Sequence, residues 1–142
     1  MTKSCLKFLG LLGTLITTSC SLDDDRVNFQ YTAMHITEAS LPDTFELGKI
    51  YDVNVTILRP NDCSMFDQFD VVRSFTDSSQ VRTVSAVGIV LEKEECTEVN
   101  DQIEDFFQFE VLYTDPYIFK FYMGDDHEGQ PEFVKIEVPV KE

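Results

Sequence analysis

Tryptophan is absent from the sequence, histidine occurs twice, and 11 lysines and arginines face 26 aspartates and glutamates in 142 residues. Each shortage excludes something. At a formal net charge of −15 the chain has no basic footprint for nucleic acid, whose phosphates are neutralised by Lys and Arg. The same balance opposes adsorption to anionic lipid through charge alone. Two histidines leave little material for acid–base chemistry or zinc ligation, and no Cys-x-x-Cys supplies tetrahedral ligands. No G-x-S-x-G nucleophile elbow and no glycine-rich phosphate cradle occurs. The missing indole also removes the ring most suited to stacking on sugars. No apolar run approaches the roughly 20 residues of a spanning helix.

What is present suffices for a core. Hydrophobic residues make up 43% of the chain, with 12 Phe and 5 Tyr, so the sequence is expected to fold despite its charge. Its length suits one domain. The first residues differ from the rest. Lys3 and Lys7 precede an apolar stretch from Phe8 to Ile16, followed by the small residues Thr17, Thr18 and Ser19. A basic start, an apolar middle and a small-residue exit are the parts of a secretory signal, expected over residues 1–19. The alternative is a short N-terminal helix of an internal domain, which the uniformly apolar stretch and the abrupt polar sequence after it oppose.

The four cysteines sort by position. Cys5 lies in the segment expected to be removed and Cys20 at the cut. Cys63 and Cys96 remain as an even pair, and export implies an oxidising compartment, so a disulfide is the expected state. Two separate thiols, or a metal site, are the alternatives.

Thr18-Ser19-Cys20 resembles the end of a bacterial lipoprotein signal. In that family a peptidase cuts before the cysteine, which becomes the mature N-terminus and carries acyl chains such as palmitate. The following Asp23, Asp24 and Asp25 resemble the acidic export signal of Bacteroidetes-type surface lipoproteins. The resemblance covers residues 1–25. It implies lipidation at Cys20, an acidic tether over residues 20–27, and a domain from residue 28 to 142 on the outer membrane, exposed at the cell surface. Two or more acyl chains anchor stably without any spanning helix. A plain solvated linker is the alternative for the three aspartates.

From Asn28 onward no helical period is sustained. Apolar and polar residues alternate over Tyr51–Ile57, from Phe107 to Tyr113, from Tyr117 to Met123 and from Val134 to Val140, the pattern of half-buried strands. Phe29–Thr37, Phe66–Arg73 and Val81–Leu91 read as strands with less clean alternation. Turn residues at Leu41-Pro-Asp, Leu47-Gly48, Arg59-Pro-Asn-Asp, Thr114-Asp-Pro and Gly124–Gly129 separate them. Pro139 suits an edge strand or a strand end. Glu92–Asp105 reads as a long loop pinned by Cys96, with room for one helical turn over Thr97–Asp105. The expected architecture is all-β, a single antiparallel two-sheet sandwich of about seven strands.

The run from Thr114 to Val140 resembles the last two strands of immunoglobulin-like domains. There a tyrosine near the start of the penultimate strand folds back to bond backbone at the corner, and Tyr117 holds the matching position. An ordinary core aromatic is the alternative.

For function, His35 reads as a strand histidine and His127 as a solvated loop residue. Carboxylate pairs carry no information where 26 acids guarantee neighbours. No enzyme is expected; a small hydrolase is the least favoured reading. Two acidic clusters could offer oxygens to calcium, though neither has EF-hand spacing. One comprises Glu92, Glu94, Glu95, Glu98, Asp101, Glu104 and Asp105. The other comprises Asp125, Asp126 and Glu128. Tyr31, Phe66, Phe106 and Tyr122 are the candidates for an outward aromatic surface, with core or edge packing the expected role for most of them. The leading expectation is a non-enzymatic lipid-anchored module presenting loops or a sheet face to a protein or glycan partner. A calcium- or glycan-binding accessory domain for surface nutrient uptake is the alternative.

Overall fold

The computed structural model describes residues 27–74, 80–93 and 95–142. Among them lie ten strands and no helix. They are β1 (Phe29–Met34), β2 (Ile36–Ser40), β3 (Phe45–Glu46), β4 (Ile50–Asn61) and β5 (Ser64–Arg73). β6 (Gln80–Leu91), β7 (Glu98–Glu110), β8 (Tyr117–Asp125), β9 (Pro131–Val138) and β10 (Val140–Lys141) complete the chain. They form three sheets, none closed. The largest has five strands around β6, with β5 on one edge and both β1 and β8 on the other; β9 pairs β8. A three-stranded sheet runs β2-β4-β7, and β3 pairs β10.

Alternation explains the strands because successive side chains point to opposite faces. In β4, Val53, Val55 and Ile57 are fully buried while Asp52 and Asn54 are exposed. In β8, Tyr117, Phe119 and Phe121 are buried between half-exposed neighbours. The two larger sheets bring these residues into one core. Phe69 of β5 meets Phe107 of β7 at 5.4 Å between ring centroids, and Phe119 of β8 meets Phe109 of β7 at 5.0 Å. Phe45 of β3 is fully buried among Tyr51, Phe109, Tyr117 and Phe119, with centroids 4.8 to 6.1 Å away. Such tilted and edge-on pairs each add about 0.5–1.5 kcal/mol to simple burial.

The all-β expectation holds, and several details differ. The count is ten strands rather than seven. The run Phe29–Thr37 is two strands, not one. It breaks at His35, where the chain leaves β6 and joins β4, so His35 stands between strands and not within one. The last run likewise divides at Pro139 into β9 and β10; the proline closes β9, as its missing N–H requires, and its carbonyl accepts the Phe45 N–H at 2.8 Å.

The pairing is not purely antiparallel: β6–β8 and β3–β10 are parallel. β7 crosses to the other sheet between β6 and β8, so β8 returns beside β6 in the same direction.

The expected loop and helical turn within Glu92–Asp105 are also corrected, because β7 already begins at Glu98. Its acidic half pairs β4 through backbone while its side chains stay in water, except that of Ile103, which packs against the core opposite Ile57. Val99 and Asn100 together oppose Pro60 in a bulge between the pairs Asn61–Glu98 and Arg59–Asp101. Pro60 cannot donate to the ladder, and Asn100 absorbs the extra residue at φ 49°, a conformation asparagine tolerates.

Candidate functional site

Cys63 and Cys96 are joined, with sulfurs 2.01 Å and Cα atoms 5.6 Å apart. Cys63 is fully buried in the turn between β4 and β5, whereas Cys96 is exposed just before β7. The turn is held by Asn61, whose Oδ1 accepts the Cys63 N–H at 3.1 Å and the Ser64 hydroxyl at 2.9 Å. Thr97 and Asp62 exchange two further bonds, and Leu91 of β6 donates to the Cys63 carbonyl. The cystine thus ties the start of β7 to the end of the five-stranded sheet. Asp62, Cys63 and Cys96 are the one group of potential metal ligands in mutual reach among the described residues. Two of its three atoms are disulfide sulfurs, so no thiolate is left to ligate.

The calcium candidates do not converge among the described residues. Asp126 Oδ1 accepts the N–H groups of Glu128 and Gln130 at 2.8 and 2.9 Å, which shapes the β8–β9 turn. Asp125 accepts the Tyr122 hydroxyl at 2.9 Å; burial first, then this bond, pushes that hydroxyl's pKa up. In the other cluster Asp101 takes both Nε and Nη2 of Arg59, and the guanidinium holds its carboxyl below the usual range. Glu92 accepts Gln30, and Glu98 accepts Asn100, both at 2.7 Å. These acids serve turns and strand edges. Glu94 lies outside the described residues, as do Cys20, Asp23, Asp24 and Asp25.

His127 is exposed in the β8–β9 turn, and the ring of His35 lies over Gly124. Tyr117 folds back as expected. Its fully buried hydroxyl accepts the N–H groups of Leu112 and Tyr113, each at 3.1 Å. Of the four candidates for an outward aromatic surface, Tyr31 is 64% exposed and Phe106 51%. Tyr122 is half-buried beside Phe133. Phe66 takes the core-packing role: opposite Gly88 it shares the inner face and packs on Phe69 at 4.8 Å.

Phe106 borders a groove of about 400 Å³ on the outer face of the β2-β4-β7 sheet. Two cross-strand rows make its floor. Glu38, Thr56 and Glu104 form one row; Ser40, Asn54 and Phe106 form the next. Residues opposed in this way stand about 4.5–5.5 Å apart at Cβ. Asp52 and Gln108 lie in the following row, joined at 3.2 Å. Among the described residues no hydrogen bond engages the side chains of Glu38, Ser40, Asn54 or Glu104. The groove therefore offers open carboxylate, hydroxyl and amide groups beside one apolar ring. Phe106 is legible in the sequence from its place between inward-facing neighbours, and Glu104 only as one acid of a candidate calcium cluster, not as a neighbour of Phe106. That these six residues share one floor depends on the register of three strands.

A buried cation occurs elsewhere. Arg82 lies 5.2 Å from the Tyr117 ring centroid and 5.9 Å from that of Phe109. It donates to the Val81 carbonyl and to Gln80 Oε1. Burial pushes its pKa down, and the rings and neutral oxygens compensate part of the lost hydration.

Compared with known proteins, the chain matches no family model, no curated protein and no solved structure.

Proposed function

We propose that the chain is a non-catalytic, lipid-anchored module of the cell surface that binds an uncharged glycan in the groove on its three-stranded sheet. In this reading residues 1–19 are a signal peptide, Cys20 carries the acyl chains, and residues 20–27 are an acidic tether. Residues 28–142 form an immunoglobulin-like two-sheet sandwich, which the Tyr117 corner and the core shared between sheets support.

The observation that carries the binding role is the pair of polar rows flanking Phe106. A sugar ring presents a weakly apolar face and a rim of hydroxyls. An exposed ring meets the first, and unengaged carboxylate, amide and hydroxyl groups meet the second. Glu38 and Glu104 would repel a polyanion, so the favoured ligand is neutral.

The test is isothermal titration of the full chain against a panel of neutral oligosaccharides, beside Phe106→Ala and Asn54→Ala. Binding by the parent that weakens in both variants supports the proposal. Absence of heat with every neutral sugar overturns it.

A further inference from the structure

The five-stranded sheet has an outer face of a different character. At its β1 end, Tyr31, Ile89 and Met65 stand in one cross-strand row, with Phe29 and Leu91 in the next and Val87 beyond. Phe29 and Tyr31 are 52% and 64% exposed and meet edge to face at 5.6 Å. Side chains of this kind normally end up against something other than water.

Charge separates the two outer faces. On the three-stranded sheet Glu38, Asp52, Glu104 and Glu110 face outward, and Arg59, the one basic residue of those strands, is committed to Asp101. On the five-stranded sheet Lys120 and Lys135 stand directly opposite each other, and no ion pair holds either among the described residues. Asp70 and Glu137 lie on the same face, and Asp125 at its far corner is bonded to Tyr122. In a chain of net charge −15 this is the face with near balance, and so the one that can approach an anionic surface at low electrostatic cost.

The covalent chain adds a distance limit. Phe29 opens β1, and the span from Cys20 to Phe29 reaches at most about 30 Å when fully extended. From these observations we infer that the outer face of the five-stranded sheet rests on the lipid surface. Phe29 and Tyr31 enter the headgroup region, and Lys120 and Lys135 turn toward lipid phosphates. This inference rests on the proposed lipid anchor at Cys20. Aromatic rings with an apolar body suit the membrane–water interface, and a second contact strengthens what acyl chains begin. The groove on the three-stranded sheet would then face away from the membrane.

The chain has no tryptophan, so a single indole is an unambiguous probe. The full chain is purified as Tyr31→Trp and as Phe106→Trp, checked by mass spectrometry for acylation at Cys20, and incorporated into vesicles of phosphatidylcholine and phosphatidylglycerol. Both positions are more than half exposed, so the larger ring needs no repacking. The expected result is a blue shift and strong quenching by brominated acyl chains for Tyr31→Trp, with neither for Phe106→Trp. Acylated, vesicle-bound Tyr31→Trp protein without quenching overturns this inference and leaves the anchor standing. Equal quenching at both positions overturns it likewise. A blue shift without quenching, in a chain that sediments as a dimer, assigns the face to a second copy instead. An unacylated Cys20 removes the anchor, and this inference with it.

Discussion

The buried hydroxyl of Tyr117 accepts the backbone N–H of Leu112 at 3.1 Å, five residues back across the turn from β7 to β8. It accepts Tyr113 at the same distance. One side chain thus closes the crossover that lets β8 return parallel to β6. Tyr117→Phe keeps the ring among Phe45, Phe109 and Phe119 and removes only the acceptor. The expected loss is about 1–3 kcal/mol, read as a lower denaturant midpoint at unchanged slope. A midpoint equal to the parent's would mean that water serves the two N–H groups equally well.

The cystine should matter more. Its sulfurs close a loop between residues separated by 33 positions, and the entropy removed from the unfolded chain corresponds to about 4 kcal/mol. Replacing both Cys63 and Cys96 by alanine is expected to cost about 2–5 kcal/mol. Reductant should lower the parent's melting temperature and leave that of the double variant unchanged. A parent insensitive to reductant, unfolding with the same midpoint as the variant, would contradict the bridge's stabilising role.

The alternation of apolar residues made β4 and β8 legible, because each has one buried and one wet face. It could not reveal the break at His35. Met34 and Ile36 are both buried, so the period of two runs on undisturbed while the partner changes from β6 to β4. The acidic half of β7 was hidden for the opposite reason. Glu98, Asp101, Glu104 and Asp105 stay exposed at a sheet edge, and Ile103 is the one residue of this half packed on the core, too few for an apolar alternation to show. β3 and β10 have two residues each, too few for any period. Of the candidate groove, local pattern marked Phe106 as a candidate outward ring and Glu104 as one of a run of acids, but not that they share a site. Glu38 and Glu104 are far apart in the chain and meet only across Thr56.

The Arg59–Asp101 pair gives a pH dependence with a defined sign. The guanidinium lowers the folded-state pKa of Asp101 below its unfolded value. Its contribution is therefore complete above the unfolded pKa of about 4 and is lost as pH falls through the lower folded value. Asp101→Asn should be less stable than the parent near neutrality, and the gap should close in acid. The pair is exposed, so the gap should be small and shrink with salt. Denaturant midpoints measured across the acid range check this. A gap that persists unchanged in strong acid would assign the effect to packing rather than charge.

Gly124 and His35 provide a test of how tightly the sheets meet. Gly124 is buried in β8 at φ 114°, and a Cβ there would come within 2.7 Å of His35 Nε2. Two penalties therefore act on Gly124→Ala: backbone strain and collision with the imidazole. Together they are expected to cost about 1–3 kcal/mol or more. His35 is exposed, so His35→Ala alone should be nearly neutral. In the His35→Ala background the ring is gone and only the strain remains, so Gly124→Ala should cost less there than in the parent. That difference is a coupling energy measurable by a double-mutant cycle in denaturant. Strictly additive costs would show that the ring swings aside freely and that the glycine is required for its backbone conformation alone.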